Sequence, residues 1–386
     1  MIAWQRRHGR HDLPWQNTRD AYRIWVSEIM LQQTQVTAVM RYYARFMQRF
    51  PDLASLARAP EEEVMRHWAG LGYYSRARNL HKAARIAADQ WNGELPRTAE
   101  QLVTLPGIGR STAAAIAVFA HGARAAILDG NVKRVFARCF GVAGYPGEKK
   151  VEEALWERAS GLLPYTGTEV YTQGLMDLGA TLCTRARPNC GACPLRAECV
   201  AHRDQRTAEL PHRKPKKALP QRSCVLLVIR QGRDVLLEKR PSSGIWGGLW
   251  CLPQFDNEAQ ARRWAQEADL DWHGRHALAA IEHGFTHYRL TIHPVALSCG
   301  RRSGKQRAAS QLAQAGHMWL ALDDAAGAAL PAPVKKLLVH TGRTGESVQT
   351  AHTVSTAHST HTARTVHTTR TARTSARPAP ARVPVK

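Results

Sequence analysis

Negative charge is scarce in this sequence. Its 386 residues carry 31 Asp and Glu against 54 Lys and Arg, a formal net charge of +23. A surplus of that size points to a polyanionic partner, nucleic acid first and an anionic membrane surface second. The segment from Thr341 to Lys386 accounts for about +6 and the rest of the chain for about +17. A basic fold argues for DNA more strongly than a basic tail does. Long apolar runs are also missing, and none approaches the length of a membrane span, so no membrane partner is expected. The basic stretch from Met1 to Arg10 has no apolar signal core, which argues against secretion and for a cytoplasmic, nucleoid-associated location if the source is bacterial. Cysteine is sparse outside one stretch. Cys139, Cys224, Cys251 and Cys299 are scattered and read as small core residues rather than a disulfide framework.

Strand-like alternation is rare from residue 1 to 202, where apolar positions recur at three and four and Gly or Pro marks the breaks, so this region is predicted all-helical. Residues 203–222 form a basic linker with Pro211, Pro215 and Pro220, expected to be extended and solvated. From 223 to 340 the pattern is mixed α and β. Cys224–Arg230 and Val235–Lys239 read as a hairpin across Gln231-Gly232-Arg233-Asp234. Glu258–Asp269 and Val334–His340 read as helices, and Tyr288, Leu290 and Ile292 as the buried face of a strand. Residues 341–386, with repeats such as Thr360-His361-Thr362-Ala363-Arg364-Thr365, offer too little apolar surface to offset chain entropy and are expected to be disordered.

Three constellations carry chemistry. Cys183, Cys190, Cys193 and Cys199 are spaced C-x6-C-x2-C-x5-C. Four-cysteine zinc usually shows two C-x2-C knuckles, and here there is one. The asymmetric run suits a 4Fe–4S cluster better, with zinc or four unrelated cysteines as the other readings. Arg185, Arg187 and Arg196 beside the ligands would suit a phosphate-facing surface. Leu105-Pro106-Gly107-Ile108-Gly109-Arg110 joins two helices as a tight turn. Its glycines permit positive φ and leave the backbone bare, so N–H groups at the start of the second helix face outward toward an anion, a DNA phosphate or simply solvent at an ordinary helical corner. Glu28 lies in an otherwise apolar helix among Ile24, Trp25, Leu31 and Gln32. Burial there would raise its pKa toward that of a general acid, and a buried carboxylate paired with an Arg fits the helix equally well. Asp129, in Leu128-Asp129-Gly130-Asn131, reads on spacing alone as a turn or capping residue.

Residues 1 to about 340 resemble the MutY family of adenine DNA glycosylases. The resemblance rests on Ser27-Glu28-Ile29-Met30-Leu31-Gln32-Gln33-Thr34-Gln35, Gly70-Leu71-Gly72-Tyr73-Tyr74-Ser75-Arg76-Ala77-Arg78, Leu105–Thr112, Ile127–Val135 and the cysteine run. It implies a multidomain fold. An all-α helix-hairpin-helix glycosylase domain (1–202) contains the iron–sulfur module (183–199), with DNA in the cleft between that module and a six-helix one. An α+β Nudix-like domain (223–340) and the disordered basic tail follow.

The resemblance also implies roles. Glu28 would protonate the adenine and later assist water, and Asp129 would stabilise the oxocarbenium ion or the covalent species formed from it. Gln32 and Tyr73 would enter the base stack while the adenine turns out. Gly107, Gly109, Ser111 and Lys133 would face DNA. Endonuclease III-type relatives carry a lysine nucleophile where this chain has Ser111, and a hydroxyl cannot form a Schiff base. A monofunctional enzyme is therefore expected, with Lys133 nearby as an amine that would trap the abasic product only slowly. In the second domain Asp256–Asp269 lacks the acidic R-E-x-x-E-E box that holds magnesium in Nudix hydrolases, so recognition rather than hydrolysis is expected. Phe285-Thr286-His287 matches the family's F-S-H loop, read otherwise as a plain strand end, and would contact 8-oxoguanine. The expected partner is double-stranded DNA with A:8-oxoguanine or A:G mispairs, bound by a monomer. Removal of another base by an endonuclease III-type enzyme, a nucleotide-pool pyrophosphatase and a DNA-binding protein with a dead site are the competing readings. Ser111, the missing acidic box, and the presence of both Glu28 and Asp129 weigh against them in turn.

Overall fold

A computed structural model describes residues 1–215, 218–241, 244–299 and 316–343. Every regular element up to Arg203 is helical, as the periodicity predicts. The helices are α1 Ile2–His8, α2 Ala21–Leu31, α3 Val36–Arg49, α4 Leu53–Arg58, α5 Glu61–Trp68, α6 Ser75–Gln90, α7 Ala99–Leu102, α8 Arg110–His121, α9 Gly130–Cys139, α10 Lys149–Gly161, α11 Thr168–Thr181 and α12 Val200–Arg203. Caps start them where the sequence changes character. Asp20 accepts from Tyr22 N and Arg23 N at α2, and Asp52 and Ser55 form a capping box at α4.

Two apolar cores divide the helices. Trp25, Phe46, Phe50, Trp68, Leu80 and Ile116 centre one, built by α2 to α8. Leu128, Val132, Phe136, Leu155, Leu175 and Leu178 centre the other, built by α9 to α11, with Met1 and Trp4 of the N-terminal segment against it. The chain crosses between them at Ala123–Asp129. A pocket bordered by both cores is the consequence.

The second domain holds one mixed sheet: β1 Gln221–Gln231, β2 Asp234–Lys239, β3 Trp250–Cys251, β4 Gln254–Phe255, β5 His276–Ala277, β6 Ile281–Gly284, β7 Arg289–Ser298 and β8 His317–Ala321. Two further helices, α13 Glu258–Glu267 and α14 Ala332–Arg343, accompany it. The main path runs β3-β2-β1-β7-β5, with β1 and β7 parallel from Gln221↔Arg289 to Arg230↔Ser298. The β1–β2 hairpin turns at Gly232 (φ +63°), with Gln231 opposite Asp234. Cys224–Ile229 are all buried because both faces of β1 are covered. Cys224, Leu226 and Val228 join the core that also holds Val334 and Leu338 of α14, and Val225, Leu227 and Ile229 join one closed by Ala261 and Ala265 of α13. The first of these cores is continuous with that of α2 to α8.

Two expectations need correction. The linker is not simply solvated: Leu210 is buried and its carbonyl accepts from Arg138 Nε at 2.8 Å. Thr341–Arg343, expected to open the disordered tail, are helical because they complete the last turn of α14, where Thr341 Oγ1 donates to Leu337 O. Residues 344–386 lie outside the described residues, as do Lys216 and Lys217 of the linker.

Candidate active site

A cavity of about 890 Å³ opens between the two helical cores. Glu28 enters it from α2 and Asp129 from the N-terminus of α9, with Leu13, Trp15, Gln173 and Met176 among the other lining residues. Both carboxylates are half-buried. Leu13 and Trp15 lie in the segment after α1, which is pinned to α11 by an ion pair: half-buried Arg10 reaches the fully buried Asp177 with N at 3.0 Å and Nε at 2.8 Å. Pairing a charge that deep requires near-ideal geometry, and here it fixes a wall of the cavity.

Glu28 has an environment hostile to charge. Among the described residues no Lys, Arg or His lies within ion-pair distance of it. This removes the reading of Glu28 as the structural partner of an Arg. Burial first, then the negative charge of Asp129, push its pKa up to about 7. Burial also raises Asp129 above its usual value, but hydrogen bonds from Val132 N, the Asn131 side chain and Asn131 N oppose that rise. Those bonds measure 2.7 Å, 3.1 Å and 3.0 Å. Asp129 is therefore both the N-cap of α9 and a carboxylate facing Glu28: the capping reading is correct and incomplete. Burial raises both carboxyls, and only Asp129 has hydrogen bonds that favour its anion.

The hairpin after α7 leads into α8, as its sequence predicts. Gly107 has φ +82°, and a Cβ there would lie 2.8 Å from Asn79 Cβ. Gly109 departs from expectation: its φ is −86°, so positive φ does not explain it. A Cβ there would meet nothing within 4 Å, which leaves the bare backbone at the head of α8. Ser111 Oγ accepts from Leu128 N at 3.2 Å and so ties α8 to the segment that delivers Asp129. Lys133 is in an ion pair with Glu152, Nζ to Oε1 2.6 Å.

Gln32, directly after the cavity-lining Leu31, and Tyr73 share an anchor that the sequence does not advertise. Buried Arg76 donates to Ile29 O, Met30 O and Gln32 O at 2.8, 2.8 and 2.6 Å, and to Gly72 O at 3.2 Å. Its guanidinium stands 5.4 Å from the Tyr73 ring centre. Tyr73 is 43% exposed and holds φ +49°, and Gln32 Nε2 reaches Thr112 Oγ1 at 3.4 Å.

Cys183, Cys190, Cys193 and Cys199 line one small cavity together with Arg138 and Arg196, and none forms a disulfide. No group of three or more His, Cys, Asp or Glu among the described residues closes tightly enough to hold a single metal ion. A tetrahedral zinc site needs its thiolates about 4 Å apart, given Zn–S near 2.3 Å. A ring around a cavity fits a larger multi-iron group better. Arg138, 3% exposed, donates to Cys183 Sγ at 3.4 Å, Thr184 O at 2.7 Å and Arg185 O at 3.1 Å. Arg134 donates to Cys183 O at 2.7 Å and Asn131 Oδ1 at 2.8 Å. Both arginines lie on α9, the helix that Asp129 caps. Their spacing of four along that helix is the only sequence signal that could have exposed this link.

In the second domain Phe285-Thr286-His287 is the tip of the β6–β7 hairpin rather than a strand end, closed by Phe285 N to Tyr288 O at 2.9 Å. Thr286 and His287 are exposed. Phe285 stacks on Tyr288, ring centres 4.7 Å apart, and lies 5.8 Å from Trp246.

The fold and this pair of carboxylates define a base-excision enzyme of the helix-hairpin-helix class. Residues 26–160 match the HhH-GPD superfamily of base excision DNA repair proteins, and residues 224–340 match the NUDIX domain. The chain is 35% identical over 340 residues to an adenine DNA glycosylase of Buchnera aphidicola, covering 88% of this chain and 95% of that one. It is 35% identical to the human adenine DNA glycosylase over 356 residues, covering 75% of this chain and 65% of that one. Among solved structures it is similar to a thermostable thymine-DNA glycosylase, at 31% identity and TM-score 0.48, covering 53% of this chain and 93% of that one. The chain belongs to the adenine DNA glycosylase family, hydrolases of N-glycosyl bonds.

Proposed function

We propose that the enzyme removes adenine paired with 8-oxoguanine or guanine in double-stranded DNA, as a monofunctional glycosylase. The observation that carries this reading is Glu28, unpaired among the described residues and pushed up to about 7, lining the same cavity as the hydrogen-bonded Asp129. Protonation of a ring nitrogen by Glu28 makes adenine a better leaving group. The bond from the sugar C1′ to the base breaks with its electron pair going to the base. Asp129 stabilises the oxocarbenium ion left behind, water adds to C1′, and Glu28 takes up the proton that water releases. Gln32 and Tyr73 fill the stack, Gly107 and Gly109 bring bare backbone to a phosphate, and Ser111 and Lys133 lie beside that contact.

Lysine chemistry finds no support in the site. Ser111 has no amine, and Lys133 is paired with Glu152 at 2.6 Å. Cys183, Cys190, Cys193 and Cys199 would hold one 4Fe–4S cluster, which when bound supplies a structural brace. Arg138 would donate to its cysteine sulfur and Arg134 would join the loop to the helix of Asp129. The tip Phe285-Thr286-His287 would read the base opposite. The domain limits are proposed as 1–202, a linker 203–220 and a second domain 221–343, with the basic tail after it, and the enzyme as a monomer that works where the DNA is. Among the described residues no helix is long and apolar enough to cross a membrane.

Duplexes carrying A opposite each base, treated with the enzyme and then alkali, test this. The expected result is alkali-dependent cleavage with 8-oxoguanine or guanine opposite, and little elsewhere. Efficient strand cutting without alkali would mean β-elimination and would overturn the monofunctional assignment.

A further inference from the structure

A single path of hydrogen bonds and ring contacts joins the hairpin tip of the second domain to α6, the helix that follows Tyr73. Arg78, in the first turn of α6, donates to the carbonyl of Gly247. The next residue, Gly248, holds φ +74°, and a Cβ there would lie 3.4 Å from Glu61 Oε1 and 3.8 Å from Arg78 Nη1. Beside this contact Glu62 accepts from Trp250 Nε1 at 2.6 Å and pairs with Lys239 at 3.2 Å. Trp246, buried and held at φ +55°, precedes Gly247 and faces Phe285 and His283 with ring centres 5.8 and 6.1 Å away. At the other end, Tyr73 lies two residues before α6, and Arg76 of that same turn holds Gln32 and Tyr73.

We propose that Arg78 and Glu62 latch the loop 246–250 to α5 and α6, so that the fit of the opposite base at the Phe285 hairpin sets the position of Tyr73 and Gln32. Arg78 is a positioning residue: it touches neither the adenine cavity nor the hairpin tip. The path is short, and each link is a ring contact, a peptide bond, a hydrogen bond or one helical turn. It can pass a displacement without unfolding either domain. Neither Arg78 nor Glu62 is needed to protonate the base, so the latch acts on discrimination and not on the chemical step.

This inference rests on the hairpin tip being the reader of the opposite base. The test compares single-turnover rates of the full chain on A:8-oxoguanine and A:G duplexes. Arg78→Ala and Trp250→Phe, the latter keeping a ring but losing the donor, are each expected to lower the ratio of the two rates by about threefold or more. The loss should fall on the 8-oxoguanine duplex, with the A:G rate held within about twofold. A Thr286→Ala, His287→Ala double variant is expected to lower the ratio as well. An unchanged ratio in both latch variants, with a lowered one in the hairpin variant, overturns the latch and leaves the reader standing. Equal slowing on both duplexes in the latch variants means a merely structural role and also overturns it. An unchanged ratio in the hairpin variant overturns the reader and the latch with it. If Arg78→Ala does not fold, Trp250→Phe alone decides.

Discussion

At the scale of single residues, the proposed reaction depends on one proton held in one place. Glu28 is pushed up to about 7 by burial and by Asp129, and Asp129 is raised above its usual 3.8 while three hydrogen bonds restrain the rise. In the proposed mechanism the active form has Glu28 protonated and Asp129 ionised. On that mechanism the single-turnover rate should fall about tenfold per pH unit above the Glu28 pKa near 7. A rate flat from pH 6 to 9 would contradict this. The same shift affects stability. The folded state binds the Glu28 proton more tightly than the unfolded chain, whose value is near 4.5. This contribution is fully present below pH 4.5 and is lost as pH rises through 7. Relative to Glu28→Gln, the wild type should lose up to about 3 kcal/mol across that window in denaturant titrations. The burial of Glu28 was legible from its apolar neighbours. Its lack of an ion-pair partner among the described residues and its closeness to Asp129 were not, because a hundred residues separate the two carboxyls. Arg76, Arg134 and Arg138 escaped notice for a related reason: they bind carbonyls of remote segments, and a carbonyl leaves no mark in a sequence.

At the scale of elements, the turn between α7 and α8 separates structure from binding within three residues. Gly107 needs its glycine twice over, for φ +82° and for a contact of 2.8 Å with Asn79. Gly109 needs it for neither. Gly107→Ala should cost about 1–3 kcal/mol in thermal or denaturant unfolding. Gly109→Ala should cost less than about 1 kcal/mol, the usual difference at an N-cap, yet weaken binding to undamaged duplex. Equal losses of stability in the two variants would contradict this division. Helix and strand positions were readable here because the periods differ cleanly, and α8 begins directly after the turn that the sequence predicts. The limits of α14 and the burial of Leu210 were not readable, since both follow from contacts with other parts of the chain.

At the scale of the whole molecule, charge and topology serve the same end. A chain of net charge +23 that binds a duplex releases counterions as it does so. Its affinity for undamaged DNA should fall by about a thousandfold between 50 and 200 mM salt if about six phosphates are engaged. A shallow dependence would show that the excess charge lies away from the interface. The order of the domains was legible from composition, and the missing acidic box from a short motif. The continuous apolar core that joins α2–α8 to one face of the sheet was not, because its residues alternate with those of a second core along β1. The central claim is that Glu28 supplies the proton for adenine release. It is tested most directly by Glu28→Gln on one A:8-oxoguanine duplex, with cleavage after alkali and equilibrium binding measured side by side. The expected result is loss of cleavage with binding retained, and turnover at the wild-type rate would contradict the mechanism.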